Sequence, residues 1–267
     1  MKKRKGTISD EHLRYLKKEK RRTVFVVTMQ VFLLAQFFLV WELLAKYEVI
    51  DSFIFSAPSK MWGSFLSLLG DGVLWKHVSA TLVETVIGFI SATVIGLIIA
   101  VILWSIEPLR RILEPYIVVL NALPKIALGP IIIIWVGAGK SAIIVMAILI
   151  SVIITIINIL NGFLGVDKDK ILLMRTLSAS KIQILFKLVL PSNLSNTIAA
   201  LKVNVGMAWV GTIMGEYLVS REGLGYLIVY GGQVFNLSLV MCATVILTVL
   251  AAVMYFCVLL LEKAVSK

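Results

Sequence analysis

Met174 to Pro191 reads MRTLSASKIQILFKLVLP. The stretch is short-period, basic and amphipathic, yet long apolar runs lie on both sides of it. Ser180 followed three residues later by Gln183 forms a capping box, the Ser oxygen taking the Gln183 N–H and the Gln side chain reaching back. A helix therefore starts at Lys181. Its apolar positions Ile182, Leu185, Phe186 and Val189 recur at intervals of three and four, with Lys181, Gln183 and Lys187 largely off that face. Pro191 then marks the start of the next apolar run, since a first helical turn tolerates its missing N–H. Upstream, Ile171 to Leu177 reads as another short helix, and the two meet at Ser178-Ala179. The pattern predicts a helical hairpin over 167–190, placed between two apolar runs.

Those runs set the fold class. The chain has 267 residues, 60% of them hydrophobic, and its mean hydropathy of +0.98 is too high for a soluble domain. Hydrocarbon about 30 Å thick needs roughly 20 apolar residues as helix. Six runs fit: Val24 to Ala45, Val78 to Trp104, Leu113 to Val136 (interrupted by Pro124 and Pro130), Ser141 to Phe163, Ser192 to Leu218 and Leu237 to Leu261. They are long and do not alternate, so they predict helices rather than barrel strands. The expected organisation is a basic arm (1–23), a first transmembrane helix (24–45), an external link with a short helix from Pro58 (46–77), and a core transmembrane domain (78–262).

A net charge of +11 is compatible with nucleic-acid binding, but the location of the charge argues for membrane topology. Nineteen of the 26 Lys and Arg residues fall in four places: residues 1–22, Arg110-Arg111, Lys168 to Lys187, and the C-terminal Lys263 and Lys267. With six alternating spans these all share one face, which the positive-inside rule makes cytoplasmic, with both termini. The basic arm then lies against anionic lipid. No small-x-small cleavage site follows the first apolar run, so it reads as an uncleaved span of a multi-pass protein of the cell membrane. Cys242 and Cys257, fifteen apart in one predicted helix, cannot bridge each other.

No link is long enough for a soluble catalytic domain, which argues against an enzyme. Gly137 to Ser141 reads GAGKS, but Ile134 stands where a phosphate-binding loop has Gly, so the stretch reads as a tight turn and the chain holds no nucleotide or cofactor of its own. Polar residues within spans are costly in lipid and face either a cavity or a partner helix. Glu84, Lys125 and Asn158 are among them. The fifth span concentrates more, with Lys202, Asn204, Trp209, Thr212 and Glu216 beside a G-x-x-x-G at Gly211 and Gly215. With Lys125 and Asn158, these are the candidate pathway-lining residues. Three classes fit: an import subunit driven by a separate ATPase, an ion-coupled carrier, and a membrane-bound structural or interaction protein.

RTLSASKIQILFKLVLP resembles the EAA loop of binding-protein-dependent ABC importer permeases, whose pattern runs E-A-A, three residues, G, nine residues, then I-x-L-P. Leu172, Leu173 and Met174 take the E-A-A places, Ser178 the Gly, and Leu188, Leu190 and Pro191 the I, L and P. The spacing fits, while the acidic residue and the glycine are absent. LPKIALGPIIIIWVGAGK from Leu123, LKVNVGMAWVGTIMGEYL from Leu201 and GLGYLI from Gly223 are similar to the branch importing nitrate, sulfonates, taurine and thiamine-precursor pyrimidines. The resemblance covers roughly residues 55–262. It implies an all-α type I permease of six spans that works as a dimer, by preference a homodimer. It also implies two cytoplasmic ATPase subunits, which carry ATP and Mg and receive the hairpin through residues such as Leu177, Ala179 and Ser180, and an external solute-binding protein. Lys125 and Lys202 point to a sulfonate, taurine or nitrate-like anion. A thiamine-precursor pyrimidine or another vitamin-like solute is the alternative.

Overall fold

The computed structural model describes residues 10–265. The first nine residues of the basic arm, and Lys267, lie outside the described residues. All regular elements among the described residues are helical, and the chain divides at Gly63 into two compact units.

The first unit is dominated by α1 (Asp10–Lys46), 37 residues long. The arm from Asp10 onward and the first span are thus one helix, where two segments were expected. No Gly or Pro interrupts the stretch, so nothing in it stops helix propagation. At the far end of α1, Glu42 accepts the Ser59 N–H at 2.9 Å. That bond fixes the start of α2 (Pro58–Gly70), which opens on proline.

The second unit is built on α3 (Leu74–Ser105), α6 (Lys140–Leu164) and α10 (Leu194–Val219). Lipid tails supply no hydrophobic drive between helices, so close packing must hold them together. Small residues allow it. A Cβ on Gly88 would stand 2.6 Å from the Ala147 Cβ, and one on Gly96 would stand 2.6 Å from Thr155. The G-x-x-x-G of α10 goes further and seats backbone on backbone: a Cβ on Gly211 would lie 2.5 Å from the Ala147 Cα, and one on Gly215 would lie 2.8 Å from the Ile143 Cα. α11 (Leu224–Gln233) and α12 (Leu237–Val265) close the bundle through Leu224, Leu227 and Ala243.

Five helices are long and apolar enough to cross a membrane, or six if the bent pair from Glu107 to Val136 is one span. That pair corrects the expectation of a third span only interrupted by its prolines. α4 (Glu107–Ala122) and the segment Lys125–Val136, which contains α5 (Gly129–Val136), meet at 87°. Leu123, forced extended by Pro124, has ψ 137, so the helix cannot run through. Gly137 and Gly139 then turn the chain into α6 with φ of 88 and 137, as a tight turn at GAGKS requires.

Candidate functional site

The hairpin forms as its sequence dictates. α7 (Lys168–Thr176) is capped by Asp167, whose side chain accepts the Asp169 N–H at 2.9 Å. It ends in a Schellman motif, with Ala179 N–H donating to Met174 O at 3.0 Å and Ser178 N–H to Arg175 O at 2.9 Å. That motif requires a left-handed residue, and Ser178 takes it at φ 59. α8 (Lys181–Ile184) follows with both capping-box bonds: Gln183 N–H to Ser180 Oγ at 3.3 Å, and Ser180 N–H to Gln183 Oε1 at 2.8 Å.

Beyond α8 the chain departs from simple periodicity. Leu185–Val189 is a π turn, in which Leu190 N–H reaches back five residues to Leu185 O. Pro191 lacks the N–H for the next bond, and the widened turn absorbs the mismatch. Asn193 Nδ2 caps Val189 O at 3.0 Å. The fifth span therefore begins at Leu194, and Pro191 sits in a separate single turn, α9 (Leu190–Ser192).

This hairpin has two faces. Ile184, Leu185 and Val189 are buried, and Met174, Ala179, Leu188 and Leu190 pack beside them against Ala100, Leu103 and Phe163 of α3 and α6. On the other face Leu172, Leu173, Leu177, Ile182 and Phe186 are each at least 60% exposed.

At the opposite end of the bundle, buried side chains cap α11. The first N–H groups of a helix have no partner inside it. Here Gly223 N–H donates to His77 Nδ1 at 2.9 Å, Leu224 N–H to Thr81 Oγ1 at 2.7 Å, and Gly225 N–H to Glu216 Oε2 at 2.5 Å. Gly223 has φ 113 and lies against the Glu216 carboxylate with no room for a Cβ. The His77 ring also stacks on Tyr226, centroids 5.9 Å apart. Nearer the surface, Glu222 pairs with Lys140 at 2.7 Å and Lys76 at 3.5 Å. The hydrogen bond from Lys140 is the main cause that holds its carboxyl below the ordinary carboxylate range.

The structure disperses the polar residues picked out in the spans. Glu216 and Glu84 are buried together beneath the α11 cap. Asn204 Nδ2 donates to Thr93 Oγ1 at 2.7 Å. Trp209 and Thr212 are buried within the bundle. Lys202 pairs with Glu262 at 2.6 Å, and Lys125 donates to Asn121 O at 3.2 Å. Asn158 alone of the candidates lines an open cleft of about 380 Å³, together with Asn161 and Asn196. His77 and Thr81 were not singled out from the sequence. Their spacing with Glu84, four and then three residues along α3, was the available signal.

Helices α3 to α12, with a helical hairpin ahead of the Gly-rich span, form an all-α membrane bundle. The fold is shared with an inward-facing methionine ABC transporter structure, at TM-score 0.66 and 23% identity over 73% of this chain and 97% of that one. It is shared too with a bacterial ABC transporter that imports alginate, at TM-score 0.65 and 12% identity over 95% and 100%. The chain belongs to the family of binding-protein-dependent transport system inner membrane components, matched over residues 92–267. Its relatives include a probable ABC transporter permease of Haemophilus influenzae, 28% identical over 82% of this chain and 88% of that protein. The taurine transport system permease of Escherichia coli is 24% identical over 84% of each. The riboflavin transport system permease of Chloroflexus aurantiacus is 28% identical over 84% and 83%. The chain is therefore a multi-pass membrane permease subunit and not itself an enzyme. The ion-coupled carrier and structural-protein alternatives fall away.

Proposed function

We propose that the hairpin 167–190 is the contact to a cytoplasmic ATPase subunit, which carries ATP and Mg, in a transporter with two copies of each chain and an external solute-binding protein. Both termini then lie in the cytoplasm. The observation that carries this reading is the two-faced hairpin. One face presents bare Leu172, Leu177 and Phe186, and the other is packed into α3 and α6. A push on the exposed face reaches the bundle as rigid-body displacement. With leucine at 172, docking rests on apolar packing instead of charge. Leu177→Glu tests it: ATPase should no longer co-purify, or should hydrolyse ATP without uptake. Normal uptake by an intact Leu177→Glu complex would sink the reading. Labelling of Ser178→Cys from the cytoplasmic side alone tests the topology.

For the solute, a small vitamin-like heterocycle fits better than the sulfonate, taurine or nitrate-like anion first favoured. Of the two cations that pointed to an anion, Lys202 is ion-paired with Glu262, and Lys125 meets a backbone carbonyl. The cleft of Asn158, Asn161 and Asn196 offers amides, which both donate and accept, as ring nitrogens and carbonyls require. Amides facing hydrocarbon are costly, which turns this face toward water or a second subunit. Both solute types occur among the relatives' names. Uptake of labelled flavin or aminopyrimidine by the assembled transporter, weakened by Asn158→Leu, is expected. Uptake of taurine alone would return the solute to the anion class.

A further inference from the structure

A cavity of about 470 Å³ lies between the hairpin and the bundle, on the side away from the bare apolar face. Three helices supply its charged lining. Arg110 comes from the start of α4, Lys168 and Arg175 from α7, and Lys181 from α8, while Glu107 is the only acidic residue among the lining residues. Glu107 pairs closely with Arg111, at 2.6 Å, and only loosely with Arg110, at 4.0 Å. The Arg110 side chain is only 19% exposed, and its Nε is buried without a hydrogen-bond partner. Lys181 reaches only a carbonyl, Ser105 O at 3.4 Å. α4 has no side-chain cap at its N-terminus, so the positive end of its dipole adds to the same field. Trp104, Phe163 and Ile184 give the cavity an apolar floor.

Lys168, Arg175 and Lys181 are solvent-exposed, and Arg110 alone of the four cations is largely buried. Converging cations around one cavity, with a largely buried guanidinium whose Nε has no hydrogen-bond partner and whose ion pair to Glu107 is a long 4.0 Å, call for an anion with several acceptor oxygens. We propose that this cavity binds a phosphate group, which ties the hairpin to α3, α4 and α6. The group is either the headgroup of an anionic phospholipid, whose glycerol neck the apolar floor would receive, or a free phosphate. Neither depends on which solute is carried.

The test uses the full chain, purified in detergent and offered phosphatidylglycerol or phosphatidylcholine, with bound lipid counted by native mass spectrometry. Phosphatidylglycerol should be retained by wild type and by Lys187→Gln, which removes a hairpin charge outside the cavity. Retention should fall about tenfold in Arg110→Gln, and likewise in Arg175→Gln, whose exposed site leaves folding intact. Inorganic phosphate at millimolar concentration that displaces the lipid and raises the unfolding temperature of wild type, but not of Arg110→Gln, would assign the site to the free anion. Equal loss in Lys187→Gln would overturn the proposal, reducing it to general surface charge. Binding of neither probe by wild type would overturn it.

Discussion

Replacing Thr81 with valine isolates one bond of the α11 cap. Thr81 and Leu224 are both fully buried, and the hydroxyl oxygen accepts the Leu224 N–H at 2.7 Å. Valine keeps the shape and opens no cavity, so the loss is an orphaned backbone N–H. Leaving such a donor unsatisfied in a dry interior costs about 1–3 kcal/mol. The hydroxyl is also within donating reach of His77 O, already a helix carbonyl, and of the Glu216 carboxylate, so losing it acts in the same direction. At about 2 kcal/mol the unfolding temperature should fall by roughly 4–8 °C, and opening at the start of α11 should become about 30-fold more frequent. Thr81→Ser is the companion: it keeps the oxygen and loses one methyl, about 0.8 kcal/mol. Unfolding in detergent, followed by tryptophan fluorescence, should rank wild type above serine and serine above valine. Hydrogen exchange at Leu224 should accelerate only in the valine variant. If valine matched wild type, or serine proved worse than valine, the cap would not be holding α11.

Gly215→Ala should destabilise by about 1–3 kcal/mol, because its Cβ meets the backbone of α6. Gly206→Ala, with open space around it in the same helix, should be neutral or stabilising by up to about 1 kcal/mol. Ser178→Gly should be neutral to slightly stabilising, since relief of the left-handed strain is offset by a freer unfolded chain, whereas Ser178→Val should lose about 1–2 kcal/mol in thermal unfolding. Glu222 has a carboxyl pKa lowered from 4.5 by Lys140 and Lys76, so its pairing stabilises the folded state above that value and fades as pH falls through the folded pKa. The stability gap between wild type and Glu222→Gln should therefore be present at pH 7 and close below about pH 4.5; a gap that widens in acid would refute the pairing.

Local signals in the sequence carried well. The spans were legible from apolar length, and the Ser180–Gln183 box from a spacing of three. The meeting of two short helices at Ser178-Ala179 was legible too, but the left-handed backbone of Ser178 was not, because serine adopts it far less readily than the glycine of the family pattern. What sequence could not carry was partner choice. Asn204 and Thr93 are 111 residues apart, and Leu224 and Thr81 are 143 apart. A polar residue in a span satisfies the same local pattern whether it faces water or a neighbouring helix. Lys202 looked free for an anion because Glu262 stands in another helix. The prolines at 124 and 130 marked an interruption, but the angle belongs to tertiary packing. The π turn was invisible for another reason: Pro191 acts on carbonyls four to six residues before it, where the apolar spacing still reads as ordinary helix.

The cap of α11 gives the bundle unequal ends. Its donors are answered by His77 and Thr81 from α3 and by Glu216 from α10, so α11 bonds to both helices and they cannot part there without breaking at least one buried backbone bond. At the hairpin end the route from α8 into α10 passes through a π turn and a single turn of helix, joints that yield by small changes of pitch. The core bundle is thus cross-bonded through buried backbone donors at the Glu222 end and jointed by irregular helix turns at the hairpin end.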